Sequence, residues 1–269
     1  MNANIFRHEF RARLRSVIIW SLGIAVLIVF YMSIFPAFTD QAELMNEMIA
    51  KFPPELSAAF GLDLMDLSSV VGFFSFLFIF VQLCLAIQAS NYGFGLVSVE
   101  ESELTADFLL SKPVSRGQVL TSKILAAVSS LLLTDIVVWA CSFAAIAVFN
   151  GGREYDMTLM LLMLASILVF QLFFLFVGLA ISLLVRRVRS VTPYGLGLAF
   201  GAYVLSAFSG VFGDVALEYL TPFKHFDAAA IVRDGGYNWS LVLLNVGVTI
   251  AALLLAYWRY LRRDIPAVS

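Results

Sequence analysis

The chain has 269 residues, of which 61% are apolar and only 13% are charged. Soluble domains have about 45–50% apolar and about 25% charged residues, so this composition predicts a membrane protein and excludes an ordinary soluble domain. The 17 Lys and Arg residues nearly balance the 19 Asp and Glu residues. This balance gives no indication of nucleic-acid binding.

Six uncharged or nearly uncharged apolar runs of about 20 residues or more divide the chain. A helix rises about 1.5 Å per residue and the hydrocarbon core of a bilayer is about 30 Å thick, so each run can cross the membrane as one helix. We therefore predict an all-α integral membrane protein with one six-helix domain over residues 1–269. The runs are Ser16 to Phe38, Val70 to Val99, Ile124 to Phe149, Met157 to Val185, Val191 to Gly213 and Leu241 to Trp258.

Lys and Arg are distributed unevenly between alternate connections. One set of connections, which includes both terminal segments, holds thirteen of them, and the other set holds four: Lys51, Arg153, Lys224 and Arg233. Cytoplasmic segments carry the excess of basic residues. We expect a multi-pass protein of the cytoplasmic membrane, of prokaryotic type, with both termini in the cytoplasm and residues 214–239 as an outer segment.

Residues 1–15 have the pattern of a basic amphipathic helix. Apolar side chains recur every four residues beside a row of arginines, which favours a helix lying in the membrane surface. A simple basic flank of the first membrane span explains the same residues equally well. The apolar positions are Phe6, Phe10 and Leu14, and the basic positions are Arg7, Arg11 and Arg15.

Few residues offer enzyme chemistry. The sequence contains no Gly-Lys dipeptide, so the phosphate-binding loop of ATPases is absent. The only histidines, His8 and His225, are expected on opposite sides of the membrane and cannot share a metal site or a proton-transfer pair. We expect no enzyme activity, no bound metal and no cofactor in this chain.

Asp135 is the only charged residue inside a predicted span. A carboxylate in the bilayer centre costs on the order of 2.5–3.5 kcal/mol, so its side chain should face a cavity or a partner. One hypothesis places Asp135 on a transport path with Gln82, Gln88 and Asn91. The alternative is a helix-packing role for all four side chains. Under the first hypothesis the chain could also be a secondary transporter or an ion channel.

The fifth run contains Gly197 and Gly201 in G-x-x-x-G spacing. This spacing leaves one helix face nearly bare of side chains, so another helix can approach closely. The sequence leaves open whether that helix belongs to the same chain or to a second copy.

The connection between the second and third runs carries strong local signals. Ser115 and Gln118 have the spacing of a helix-capping box, and Pro113 disfavours helix in the residue before it. Phe108, Leu109 and Leu110 would form an exposed apolar patch unless lipid or a partner covers them. A stiff loop with such a patch favours a docking element.

This connection resembles the first cytoplasmic loop of ABC-2 type transporter permeases, in which E-E-x-x-G-T, L-L-S-x-P-[VI]-S-R and a following Lys recur. One position departs from the motif, because Leu104 stands where the family usually has Gly. The matching residues are Glu100, Glu101, Thr105, Leu109, Leu110, Ser111, Pro113, Val114, Ser115, Arg116 and Lys123.

The resemblance implies a permease with six spans, an N-terminal interfacial helix and a coupling loop, here residues 100–123. In that family the loop carries a short coupling helix, Thr105 to Ser111, seated on a separate ATP-binding subunit. Glu100 and Glu101 would mark the cytoplasmic end of the second helix, and Arg116 would brace the loop or the partner. The expected assembly has two permeases, identical or sister chains, and two ATPase subunits that bind ATP and Mg. The expected function is export of an amphipathic or apolar substrate.

Overall fold

The computed structural model describes residues 2–41, 47–48, 51–53, 57, 65–102, 114–185, 190–212 and 215–262, with the side chains of residues 99–102 and 212–215 left out. Within this part of the chain every regular element is a helix. Six of the helices are long and apolar enough to cross a membrane. The predicted all-α membrane fold is confirmed.

The six long helices match the predicted runs closely, and three short helices connect the last two of them. The long helices are α1 (Ala3–Asp40), α2 (Val70–Ser102), α3 (Arg116–Phe149), α4 (Met157–Leu184), α5 (Val191–Phe212) and α9 (Trp239–Arg262). The short helices are α6 (Val215–Glu218), α7 (Pro222–His225) and α8 (Ala228–Asp234).

Helix α1 differs from the expectation of a separate interfacial helix. It is continuous over 38 residues, about 57 Å at about 1.5 Å per residue, and residues 3–15 are its first turns. No Gly or Pro interrupts the sequence between these turns and the apolar run, so nothing ends the helix there. The expected amphipathic pattern is present, because Arg7, Arg11 and Arg15 are exposed whereas Phe6 and Phe10 are partly buried.

The coupling loop expected over residues 100–123 is shorter in the structure. Glu100 and Glu101 extend helix α2, which does not break at Gly93 or Gly95. At the other end, α3 begins at Arg116, directly after the capping box. Residues 103–113 lie outside the described residues, and with them the predicted coupling helix and the Pro113 break.

The long helices pack mainly as two parallel pairs. Helix α1 lies against α3, whereas α2 lies against α4, and α2 also contacts α5. Glycine permits the closest approach between α2 and α4: a Cβ atom added to Gly93 would be 2.2 Å from the carbonyl oxygen of Leu175. No side chain fits there, so Gly93 sets the distance between the two backbones.

The bundle has two distinguishable ends. The basic end is where α1, α3 and α5 begin and α2 and α9 end, and it contains Glu9, Arg13, Leu96, Lys123 and Arg262. The aromatic end is where α1 and α3 end and α4 begins, and it includes the segment of residues 215–239 that holds α6, α7 and α8.

Candidate functional site

Lys123 joins three helices at the basic end. Its side chain is only 3% exposed, and Nζ donates a hydrogen bond to the carbonyl oxygen of Leu96 on α2 at 2.8 Å. The same Nζ lies 3.6 Å from Oε1 of Glu9 on α1. Arg13 donates to Oε2 of Glu9 at 2.7 Å, so one carboxylate lies between two cations. A buried ammonium group is tolerated only with such partners.

The start of helix α3 is fixed by the predicted capping box. Gln118 N donates to Ser115 Oγ at 3.3 Å, and Ser115 N donates to Gln118 Oε1 at 3.2 Å. One turn later, Ser122 Oγ accepts a hydrogen bond from Asn2 N at 2.8 Å. The helix that follows the predicted coupling loop is therefore capped and tied to the start of α1.

A cavity of about 310 Å³ opens beside this junction. Its polar lining comes from Glu9, Arg13, Asn91 and Lys123, and Val191 at the start of α5 closes one side. The cavity thus touches four long helices at the basic end of the bundle. It was not predicted from the sequence, because Glu9 and Arg13 are distant in sequence from Asn91 and Lys123.

A chain of polar side chains runs from this end toward the middle of the bundle. Gln88 Nε2 donates to Thr134 Oγ1 at 2.9 Å and to the hydroxyl of Tyr92 at 3.3 Å, and Tyr92 donates to Ser16 Oγ at 3.2 Å. These bonds connect α2 with both α1 and α3. Gln88 is thus placed as an interhelical hydrogen bonder, in line with one of the two alternatives for it.

Asp135 lies in the interior of the bundle and is 6% exposed. Its carboxyl group lies near the amide of Gln171 on α4, close enough for an electrostatic interaction. No pair of their atoms has the geometry of a hydrogen bond, and both Asp135 oxygens are buried without a partner among the described residues. The structure brings Asp135 near Gln171, which was not among the predicted path residues.

The other two candidate path residues, Gln82 and Asn91, have contacts elsewhere in the bundle. Gln82 Nε2 donates to the carbonyl oxygen of Phe226 at 2.9 Å and so holds the segment at the aromatic end. Asn91 lines the cavity at the basic end, and its Oδ1 is buried against Gly195. Among the described residues, no hydrogen bond joins Asp135, Gln82, Gln88 and Asn91 to one another. Their role in transport remains a prediction.

The segment at the aromatic end folds into the bundle. Phe223 stacks edge to face with Phe170 at 5.1 Å, and Phe226 is 2% exposed. Thr221 Oγ1 donates to the carbonyl oxygen of Ala202 in the middle of α5. His225 Nδ1 lies 3.2 Å from Asn245 Nδ2, and its Nε2 lies 3.3 Å from the Tyr219 carbonyl oxygen. Irregular backbone packed among long helices in this way needs these polar partners.

Gly197 and Gly201 face away from the other described residues. A Cβ atom added at either position would have no heavy atom within 4 Å among the described residues. The close glycine contacts between long helices are instead at Gly93, Gly178 and Gly195. The G-x-x-x-G face is therefore open within the described part of the chain, and the helix packing expected there remains a prediction.

Several predicted residues of the coupling loop cannot be placed. Thr105, Phe108, Leu109, Leu110, Ser111 and Pro113 lie outside the described residues, and only the backbone of Glu100 and Glu101 is described. Arg116 is the first residue of α3. No group of three or more His, Cys, Asp or Glu side chains that could hold a metal ion occurs in the described ranges.

Comparison with known families gives a match over nearly the full length. A family model described as ABC-2 family transporter protein matches residues 3–265. A search of curated proteins gave no significant match. The match covers all six apolar helices and both ends of the bundle. The chain belongs to the ABC-2 transporter family and is a multi-pass permease component of an ABC transporter.

Proposed function

We propose that this permease exports an amphipathic or apolar substrate across the cytoplasmic membrane and takes its energy from a separate ATPase subunit. The observation that carries the proposal is the family match over residues 3–265 in a chain whose sequence has no phosphate-binding loop. The same match favours a permease over the alternative of a secondary transporter or ion channel built around Asp135. ATP and Mg would bind to the partner subunit.

The segment between α2 and α3 is the proposed contact with the ATPase. The capping box at Ser115 and the bonds of Lys123 hold the start of α3 against α1 and α2. A force applied to residues 100–116 would therefore reach three helices at once. Helix ends fixed in this way are suited to transmit the closure of an ATPase dimer to the bundle.

Co-purification with the ATPase tests this contact. The permease is expressed with its presumptive ATPase, and Leu109→Asp and Arg116→Glu are compared with the wild type for complex formation and substrate export. Leu220→Asp is the matched control, because Leu220 is an exposed apolar residue at the other end of the molecule. The loop variants should lose complex or export and the control should keep both. Full export by both loop variants would contradict the proposal.

The working assembly is proposed to contain two permeases. Its support is the open face of α5, where Gly197 and Gly201 would allow a second helix to approach closely. In a variant lacking Cys84 and Cys141, a cysteine at Gly201 should form a disulfide between copies or with a sister permease. A cysteine at Leu254, exposed on α9, is the control. Cross-linking at Leu254 but not at Gly201 would place the interface elsewhere.

The proposed orientation and substrate class have their own tests. A cysteine introduced at Ser115 should react with a membrane-impermeant reagent only in inverted vesicles, since we place the basic end in the cytoplasm. Labelling in intact cells would overturn this orientation.

Amphipathic compounds should stimulate ATP hydrolysis by the reconstituted complex more than hydrophilic ones of similar size. Equal stimulation would remove the support for an apolar cargo.

A further inference from the structure

The cavity at the basic end combines hydrogen-bond donors with apolar walls. Arg13, Lys123 and Asn91 contribute polar groups, while Ala12 and Val191 contribute apolar surface. Its volume of about 310 Å³ is at the lower end of the range for small-molecule sites, about 300–1,000 Å³. A cavity of this size can hold a small polar group and the first atoms of an attached chain.

The charges around the cavity favour an anion. Of the three charged side chains in the described lining, Arg13 and Lys123 are cationic and lie 2.7 Å and 3.6 Å from the carboxylate of Glu9. Among the described residues, Arg13 donates hydrogen bonds to the carbonyl and the carboxylate of Glu9, and both bonds use Nη1. The Nε and Nη2 groups of this guanidinium can therefore donate to a ligand, and a planar fork of donors suits phosphate.

Asn91 adds a third donor. Its Oδ1 atom is buried without a hydrogen-bond partner, and a Cβ atom on Gly195 would be 2.2 Å from it. The oxygen thus lies against α5, and we infer that the amide nitrogen faces the cavity that Asn91 lines. An amide donor beside an arginine again fits an anionic oxygen.

We propose that this cavity binds the phosphate group of a phosphorylated amphiphile, with Arg13 and Asn91 as the principal donors and Lys123 supplying positive charge. The ligand is a phosphate ester that comes either from a lipid of the surrounding leaflet or from a soluble compound. The apolar walls and the position at the end of the membrane-spanning helices favour the lipid. Binding at this place would connect α1, α2, α3 and α5 through one ligand.

Lipid titration of the purified full-length chain, followed by native mass spectrometry, tests the proposal without the ATPase or transport. The probes are phosphatidylglycerol, diacylglycerol with the same acyl chains as the phosphate-free control, and glycerol 3-phosphate as the soluble competitor. The apparent Kd of one bound phosphatidylglycerol is measured for the wild type and for four variants: Arg13→Gln, Asn91→Asp, Glu9→Gln and Arg11→Gln. Arg11 is the matched control, because it is an exposed arginine on the same helix outside the cavity.

The variants should change the affinity in opposite directions. Arg13→Gln should weaken binding about tenfold or more, because a charge-assisted hydrogen bond is lost, and the nearly isosteric Asn91→Asp should weaken it by charge repulsion. Glu9→Gln should strengthen binding several-fold, and Arg11→Gln should leave it unchanged. A purely structural role of these residues would not produce tighter binding in Glu9→Gln.

Other outcomes would overturn or refine the assignment. Equal binding of diacylglycerol and phosphatidylglycerol, or equal affinity of the wild type and both weakened variants, would overturn it. Displacement of phosphatidylglycerol by glycerol 3-phosphate would assign the phosphate site to soluble esters, and retention of the lipid would assign it to the membrane.

Discussion

The basic and aromatic ends of the bundle are held together by different interactions. At the basic end, the buried Lys123 and the carboxylate of Glu9 join α1, α2 and α3 through charge-assisted contacts. At the aromatic end, Phe223 and Phe226 are buried against the rings of α4 and neighbouring segments. Ionic contacts can be exchanged for contacts with a partner or ligand, whereas an aromatic core loses stability when it opens. The basic end is therefore the better suited to respond to other molecules.

The largest expected effect comes from removing a ring at the aromatic end. Phe226→Ala should lower the free energy of unfolding by about 3–5 kcal/mol, because the ring is 2% exposed and leaves a cavity beside Phe170. The midpoint of thermal unfolding in detergent measures the loss. Phe200→Ala is the control, since that ring is 51% exposed. Equal loss in both variants would contradict an aromatic core at this end.

Removing the central cation of the basic end should have a smaller effect. Lys123→Met leaves the Leu96 carbonyl oxygen and one side of Glu9 without their donor, which should cost about 1–3 kcal/mol. Arg13 still neutralises Glu9, so the loss stays below that of a fully isolated buried charge. Lys51→Met, at an exposed position, should melt like the wild type. A stable Lys123→Met variant would show that the basic end does not depend on this cation.

Helix caps should contribute equally at the two ends. Ser115→Ala removes the cap of α3 at the basic end, and Asp156→Ala removes the hydrogen bonds to Thr158 N and Leu159 N at the start of α4. Each change should cost about 1 kcal/mol. Hydrogen exchange of the first turn of each helix measures the local effect, and Ser115→Asp should restore protection. Faster exchange at only one helix would mean that the caps differ.

The smallest expected effect is a pH dependence at the aromatic end. Burial lowers the pKa of His225 below its usual value, while the carbonyl groups of Tyr219 and Glu218 oppose this change. The fold therefore prefers the neutral ring. The contribution of the neutral His225 ring to the free energy of unfolding is complete above about pH 6.5, the usual pKa of histidine. It is lost as the pH falls from there through the folded-state pKa.

Thermal unfolding between about pH 7.5 and pH 5.5 measures this dependence around the usual pKa of histidine. His225→Gln should flatten the curve relative to the wild type, whereas His8→Gln should keep its slope, because His8 is exposed at the basic end. An unchanged slope in His225→Gln would assign the pH dependence to other groups.

The sequence was sufficient to predict the six long helices and the cap at Ser115. Both depend on local chemistry: the length of an apolar run and the spacing of two side chains. The continuity of α1 was not resolved, because a row of exposed arginines is compatible with a separate surface helix and with the extension of a span. Only the uninterrupted backbone distinguishes them.

The cavity and the close glycine contacts could not be predicted for a different reason. Gly197 and Gly201 have the expected spacing and yet face no described neighbour, whereas Gly93 has no such motif and lies against Leu175. Which face of an apolar helix turns inward depends on the neighbouring helices, and helices that are apolar on all sides carry little information about it. The contacts of Lys123 with Glu9 likewise arise only after α1 and α3 have paired.

The contact at Gly93 limits how the bundle can change shape. The Leu175 carbonyl leaves no room for a side chain at Gly93, and a Cβ atom added to Gly178 would be in tight contact with the Ser90 carbonyl oxygen, at 3.2 Å. Sliding α2 along α4 would bring side chains into these gaps. The two helices are therefore expected to move as one rigid body. The boundary between this pair and the pair of α1 and α3 is bridged by polar bonds from Ser16, Thr134 and Lys123. Shear between the two bodies would have to break and re-form these bonds.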